Sequence, residues 1–261
     1  MYTRIRRILT IASVSMFISC AASGVEPDDA AKVPLIAPKE ALSKAAEVYK
    51  LRANLDKARE AIGILEKARD SDKRNYDVEW KFARYSYFLG NRDEISDKER
   101  ARVLKKGLQA ARIALRLKPE KADGHFWYGA ILGEQSRRSP VTVGLVSIDK
   151  IRTELKQSIK IDPGYQNASG YVGLGQLELS TLGLAGGSGE KAVEYLEKAL
   201  EIEKENGFVY LRLAEAYLAV KEKAKAKKNL DFLLKMKAHP DYEPEHAAAV
   251  KEGKTILKRK F

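Results

Sequence analysis

Tyr210 to Ala238 reads YLRLAEAYLAVKEKAKAKKNLDFLLKMKA, and its spacing decides the fold. Tyr210, Leu213, Ala214 and Tyr217 stand at i, i+3, i+4 and i+7, which lines them up on one side of an α-helix. Ala226, Leu230 and Leu233, followed by Ala238, repeat the stripe after a short polar interval. Small residues such as Ala214 and Ala226 let the two helices approach closely, so the stretch predicts a packed helix hairpin.

The second-helix signature recurs upstream as Ala192, Leu196, Ala199 and Lys204; as Ile151, Leu155, Ser158 and Pro163; as Gly107, Ala111, Ala114 and Pro119; and as Ala61, Leu65 and Ala68. First helices precede three of these at Ser169, Val172 and Gly173, at His125, Tyr128, Gly129 and Leu132, and at Trp80, Ala83 and Tyr87; the earliest, around Leu42 to Leu51, is irregular. Pro119 and Pro163 stop second helices where the chain must turn, because proline cannot continue the hydrogen-bond ladder. A helix from Glu243 to Arg259 closes the series. These units match the two-helix tetratricopeptide (TPR) pattern of about 34 residues. The fold class is therefore all-α: a TPR-like α-solenoid over residues 39–261, of about five helix hairpins plus a C-terminal capping helix.

Composition agrees. At 44% hydrophobic the 261 residues can bury one continuous core, and only 8 are proline, which favours uninterrupted helices. The formal net charge of +12 stays positive when Arg4, Arg6 and Arg7 are discounted with a leader. Runs such as Lys221 to Lys228 read as a solvated helix face. Long-range attraction to an anionic membrane is open. No aromatic-plus-glycine motif of a nucleic-acid module accompanies the charge, so nucleic acid is not an expected partner.

Residues 1–20, MYTRIRRILTIASVSMFISC, carry a basic start and then an uncharged apolar stretch from Ile8 to Ile18. This is a signal-peptide pattern, shorter than the roughly 20 residues of a membrane span. The single cysteine, Cys20, falls where residues 1–19 would be removed, and one cysteine cannot form an intramolecular disulfide. Phe17-Ile18-Ser19-Cys20 resembles a bacterial lipobox, which makes Cys20 the lipidation site; the alternative is an ordinary leader with an incidental cysteine. Acyl chains contribute about 0.8 kcal/mol per buried methylene, so residues 20–38 would be a lipidated N-terminus and tether. Ala21 after the cysteine resembles lipoproteins sorted to an outer membrane. The expected address is the bacterial envelope, facing the periplasm.

From first-helix start to second-helix start, the last repeat is compact and the three before it are longer. The extra residues are expected in the turns, including the apolar Ser139 to Ser147 and the glycine-rich Thr181 to Gly189. They would form a binding edge or be tolerated loops. First helices line the concave side of such a solenoid. Projection gives as groove residues Tyr85 and Phe88; Asp123, Phe126 and Ala130; Leu174, Leu177 and Glu178; and Leu211, Glu215 and Leu218. This groove reads as apolar, suited to an apolar small molecule, a lipid or an amphipathic helix. In a tightly wound superhelix the same side chains would instead meet one another.

Nothing predicts catalysis. His239 and His246 lack the i,i+4 spacing of a helical metal pair, so no metal or cofactor is expected. No serine sits in a nucleophile elbow. The glycines from Gly183 to Gly189 lack the Lys-Ser/Thr ending of a phosphate loop.

Two family resemblances follow from quoted residues. His125-Phe-Trp-Tyr-Gly-Ala, Ile161-Asp-Pro163 and the run from Glu245-His246-Ala to Leu257-Lys258 resemble the TPR domain of the regulator of microtubule dynamics family. The lipobox with Leu182-Gly-Leu-Ala-Gly-Gly-Ser-Gly-Glu-Lys-Ala192 resembles the TPR lipoprotein of periplasmic TRAP transporters. The latter resemblance implies a helical lipoprotein with an apolar channel, associating with itself as a homo-oligomer and with a periplasmic solute-binding protein. Microtubule regulation is not carried over, because a bacterial-type leader is incompatible with a tubulin-containing compartment. The expectation is an envelope-anchored protein-binding scaffold, or else an apolar-ligand-binding transport accessory.

Overall fold

The computed structural model describes residues 36–139, 144–183 and 185–261; the leader, Cys20 and all but the last residues of the tether lie outside them. Eleven α-helices follow in order among the described residues. They are α1 (Pro38–Lys50), α2 (Leu55–Glu66), α3 (Tyr76–Gly90), α4 (Asp97–Leu117), α5 (Ala122–Arg138), α6 (Leu145–Ile161), α7 (Tyr165–Ser180), α8 (Gly189–Ile202), α9 (Gly207–Ala219), α10 (Lys223–Lys235) and α11 (Glu243–Lys260). Successive pairs from α1/α2 to α9/α10 make five hairpins, and α11 packs on α9 and α10 as the cap. The α-solenoid is as the periodicity predicts, and the helix around Leu42 is regular.

Helix ends follow local chemistry. Side chains of Asn54, Asn75, Ser96, Ser188 and Asn206 accept backbone N–H bonds at the starts of α2, α3, α4, α8 and α9, satisfying donors that have no intrahelical partner. Lys118 and Asp162, each before a proline, leave helical geometry at φ −143° and −146°, as the clash with a proline ring requires.

The long repeats are a correction. The intra-repeat turn at 91–96 is short, and the added length goes into helix, most of all in α4 with its 21 residues. Residues 140–143 of the expected Ser139–Ser147 loop lie outside the described residues, and α6 already begins at Leu145. The α7–α8 turn is a true insert. Its Gly183 and Gly186 adopt φ of +74° and +73°, which other residues enter only at a cost.

The hairpins stack with their first helices side by side. α1 touches α3, α3 touches α5, α5 touches α7 and α7 touches α9, and each second helix packs between consecutive first helices. First helices therefore form the inner, concave layer. Second helices of the first two hairpins are bridged at the surface by Arg59 with Glu99 (2.7 Å) and by Lys106 with Glu66. None of the described helices is long and apolar enough to cross a membrane.

Candidate concave binding face

Aromatic rings and charges build the inner layer of the first three hairpins. Tyr85 of α3 stacks on Tyr49 of α1 with centroids 3.7 Å apart, and Phe88 meets the same ring edge-on at 5.7 Å. In α5, Phe126 packs edge-on against Trp127 (4.7 Å) and against Tyr165 of α7 (5.4 Å). Such geometries suit ring quadrupoles. Trp127 Nε1 donates to Tyr165 Oη at 3.0 Å; Tyr165 donates to one Asp123 oxygen at 2.8 Å, and Tyr76 donates to the other at 2.6 Å. Asp123 thereby ties α3, α5 and α7 together. Burial, with the Asp123 charge and hydrogen bond, pushes both tyrosine hydroxyls far up.

The eleven expected groove residues divide in two. Tyr85, Phe88, Phe126, Leu174, Leu177, Glu178 and Leu211 are all buried, and Asp123, Ala130, Glu215 and Leu218 are half-buried. An open apolar groove is thus corrected to a filled inner layer, because tight winding makes adjacent first helices cover one another's apolar side chains. Glu178 is wholly enclosed: Arg152 of α6 pairs with it, and the Ser188 amide donates to its other oxygen at 3.2 Å. Glu215 and Arg212 pair at 2.8 Å.

Charged residues overlooked by the projection dominate what remains accessible. Arg92 lies 4.2 Å over the Phe88 ring. Arg137 makes a two-point pair with Glu134 at 3.0 and 2.8 Å. Burial, then the Glu134 charge, push the Tyr87 hydroxyl of α3 up to about 12, against the charges of Arg212, Arg137 and Arg92. Residues of α3, α5 and α9 thus face one space. Lys81 and Arg84 stand one turn before Tyr85 and Phe88 on the same stripe, so the i,i+4 rule that selects the aromatic pair already contained them.

The two ends of the solenoid meet. Arg52, in the α1–α2 turn, donates through Nε and Nη2 to the two carboxylate oxygens of Glu245 at 3.0 and 2.8 Å, and Nη2 also donates to the Asp241 carbonyl. Its guanidinium lies 4.9 Å over Tyr49 and 5.5 Å over Phe88. Planar two-point pairing of this kind is both strong and directional. The cap helix is therefore latched to the first hairpin across 193 residues of chain.

No group of His, Cys, Asp and Glu among the described residues could hold a metal ion. Buried His125 instead joins α5 to its neighbours, with Nδ1 2.6 Å from Glu154 and Nε2 2.8 Å from the Pro119 carbonyl. With an acceptor at each nitrogen, the charged imidazolium is favoured. The hydrogen bond to Glu154 raises its pKa, burial opposes this, and the Pro119 carbonyl adds to the rise.

Comparison with known proteins agrees with this architecture. Residues 42–260 match the family model of regulator of microtubule dynamics protein 1-3. The crystal structure of TTC0263, a thermophilic TPR protein in Thermus thermophilus, superposes with a TM-score of 0.61 at 18% identity, covering 82% of this chain and all of that one. A crystal structure of MamA protein gives a TM-score of 0.48 at 15% identity over 85% of this chain and 97% of its own. Among curated proteins none matches the sequence.

Proposed function

Because the chain belongs to the regulator of microtubule dynamics protein 1-3 family and folds as a TPR-type solenoid, we propose that it is a non-catalytic scaffold binding a protein partner on its concave face. One observation carries this reading: first helices pack side by side into an inner layer whose accessible side chains are charged and aromatic. Such residues give specificity and anchoring in interfaces. A photo-crosslinking residue replacing Tyr87 should capture a partner in cells, whereas one replacing Lys105 on α4 should not. Capture at Lys105 alone would sink the reading.

We further propose that Cys20 is lipidated and holds the scaffold on the periplasmic side of an envelope membrane, on the strength of residues 1–20. Cys20→Ala should move the protein to the soluble fraction and abolish acyl labelling; retention on the membrane would refute it. The narrower role, an accessory of a TRAP-type transport system with a solute-binding protein as partner, rests on the resemblance of Leu182 to Ala192. For an apolar ligand the specific support is an open pocket of about 490 Å³ in which Phe232, Met236, Ala238 and Pro240 stand beside Lys204, Glu205, Lys237 and His239, and where the Phe232 side chain is half exposed. Native mass spectrometry would detect such a ligand, and Phe232→Asp should then lose it.

A further inference from the structure

Charge is spread unevenly along the solenoid, and the last two helices bring most of it together. From Lys221 to Lys235 six lysines stand against Glu222 and Asp231, and from Lys251 to Lys260 five cations stand against Glu252. These two short stretches account for +8 of the chain's formal +12. In sequence each reads as a solvated helix face, but the fold sets their ends side by side. α10 starts just after α9 ends, and Arg259 and Lys260 of α11 border one hollow with Leu218, in the last turn of α9. Lys221, Lys223, Lys225, Lys258, Arg259 and Lys260 therefore share one pole of the molecule, and all six are exposed.

Little within the chain offsets this pole. Lys225 reaches Glu222 at 3.9 Å and the Tyr217 ring at 5.4 Å, while among the described residues the other five form no ion pair. Glu215 and Glu252 are held by Arg212, and Asp231 by Lys227. The start of α10 adds to the positive field: its first turn has no acidic residue and no side-chain cap, so Lys223 and Lys225 stand at the positive end of the helix dipole. Like charge at that end works against the helix, and an anion brought close relieves it.

Resting on the reading that Cys20 holds the chain at an envelope membrane, we propose that this pole docks on the anionic headgroups of that membrane and so fixes how the scaffold stands on it. A bilayer suits the arrangement. Headgroup phosphates impose no register, so cations spread over two helices all contribute, at about 5-fold in affinity each. Phe261, the residue after α11, is half exposed beside them, and an apolar ring next to a cluster of cations is what a headgroup boundary accepts. Reach is sufficient as well. Arg52 ties the end of α1 to the start of α11, and with about 1.5 Å of rise per residue the two helices put the pole at most roughly 55 Å from Pro38. Residues 20–37, fully extended, would span about 60 Å.

The test uses the full chain and vesicles of phosphatidylcholine, alone or mixed with phosphatidylglycerol, with binding read by co-sedimentation at physiological salt. Whatever residues 1–35 contribute is common to every variant. K221Q/K223Q/K258Q/K260Q should weaken binding to the phosphatidylglycerol vesicles at least about 10-fold. K98Q/K156Q/K160Q/K191Q removes the same charge from exposed positions on α4, α6 and α8 and should weaken it less than about 2-fold, since charges farther from the surface than a Debye length are screened. Equal losses mean general attraction and overturn the proposal. Placement is read separately: the added emission of Phe261→Trp should shift to the blue on phosphatidylglycerol vesicles and stay unshifted on phosphatidylcholine alone. Bound vesicles without that shift would mean that another face makes the contact, and the proposal falls. Acyl labelling of Cys20 separates the two readings. Labelling with no preference for phosphatidylglycerol removes the pole and leaves the anchor; loss of binding in the pole variant without labelling leaves the pole and removes the anchor.

Discussion

In the first three hairpins rings and charges join the helices: Tyr49 on Tyr85, Phe126 on Trp127, Asp123 between two tyrosines. In the last two, the buried set is mostly Ala, Leu and Val, from Ala192, Leu196 and Ala199 to Ala226, Leu230 and Leu233. Both regions obtain the same stacking. Small residues against leucines are enough to set helix spacing in the second region, whereas in the first buried rings and hydrogen-bonded charges fill the same layer.

The largest effect expected from breaking this contrast is in the cores. Phe82 is fully buried in the first cluster and Leu196 in the second. Phe82→Ala should cost about 3–5 kcal/mol and Leu196→Ala about 2–5 kcal/mol. Because a solenoid unit contacts chiefly its neighbours, hydrogen exchange should show Phe82→Ala loosening α1 to α4 while α9 and α10 stay protected. Uniform loosening would mean that the two regions fold as one unit. Next is the latch. Glu245→Gln should lower stability by about 1.5–3 kcal/mol, and a double-mutant cycle with Arg52→Ala should show coupling between the two ends; additive losses would rule out a working contact.

Capping sharpens the comparison from the other side. Asn75 caps α3 in the first region and Asn206 caps α9 in the second, and changing either to Ala should cost about 1 kcal/mol in chemical denaturation. Similar values are expected because a cap serves backbone donors and is indifferent to the core chemistry; a large disparity would contradict this.

The smallest effect is a pH drift confined to the first region. The folded pKa of His125 is raised, so its contribution is complete below the unfolded value near 6.5 and fades as pH climbs through the folded pKa. Burial works to raise the pKa of Glu154, but hydrogen bonds from His125 and Lys150 leave it lowered. Its contribution is present above the unfolded carboxylate range and is lost as pH falls through the folded pKa. Wild-type Tm should decline on the alkaline side and His125→Gln should flatten that decline; parallel curves would refute the linkage.

The hairpins were legible because each is encoded locally, by stripes such as Tyr210 to Tyr217 and stops such as Pro119 and Pro163. The partition of added length was not: the long stretch from Asp97 to Leu117 could be turn or helix by count alone, and only its continuous period identifies α4. The inner face was half legible. Projection chose the stripe containing Tyr85 and Phe88 but could not foresee how tightly the helices wind, which decides whether those rings are surface or filling. Arg52 meeting Glu245 was invisible, since no local pattern records where distant ends arrive.

That meeting of the ends has a consequence for how this molecule can vary. An open spring of repeats tolerates an added or deleted coil, since only its pitch continues. Here the circuit closes with five hairpins and a cap, so inserting or removing one would carry Glu245 away from Arg52. The latch therefore acts as a ruler that sets repeat number against one contact, while length can still be added within a hairpin, as in the long helices α4 to α6 and the α7–α8 turn.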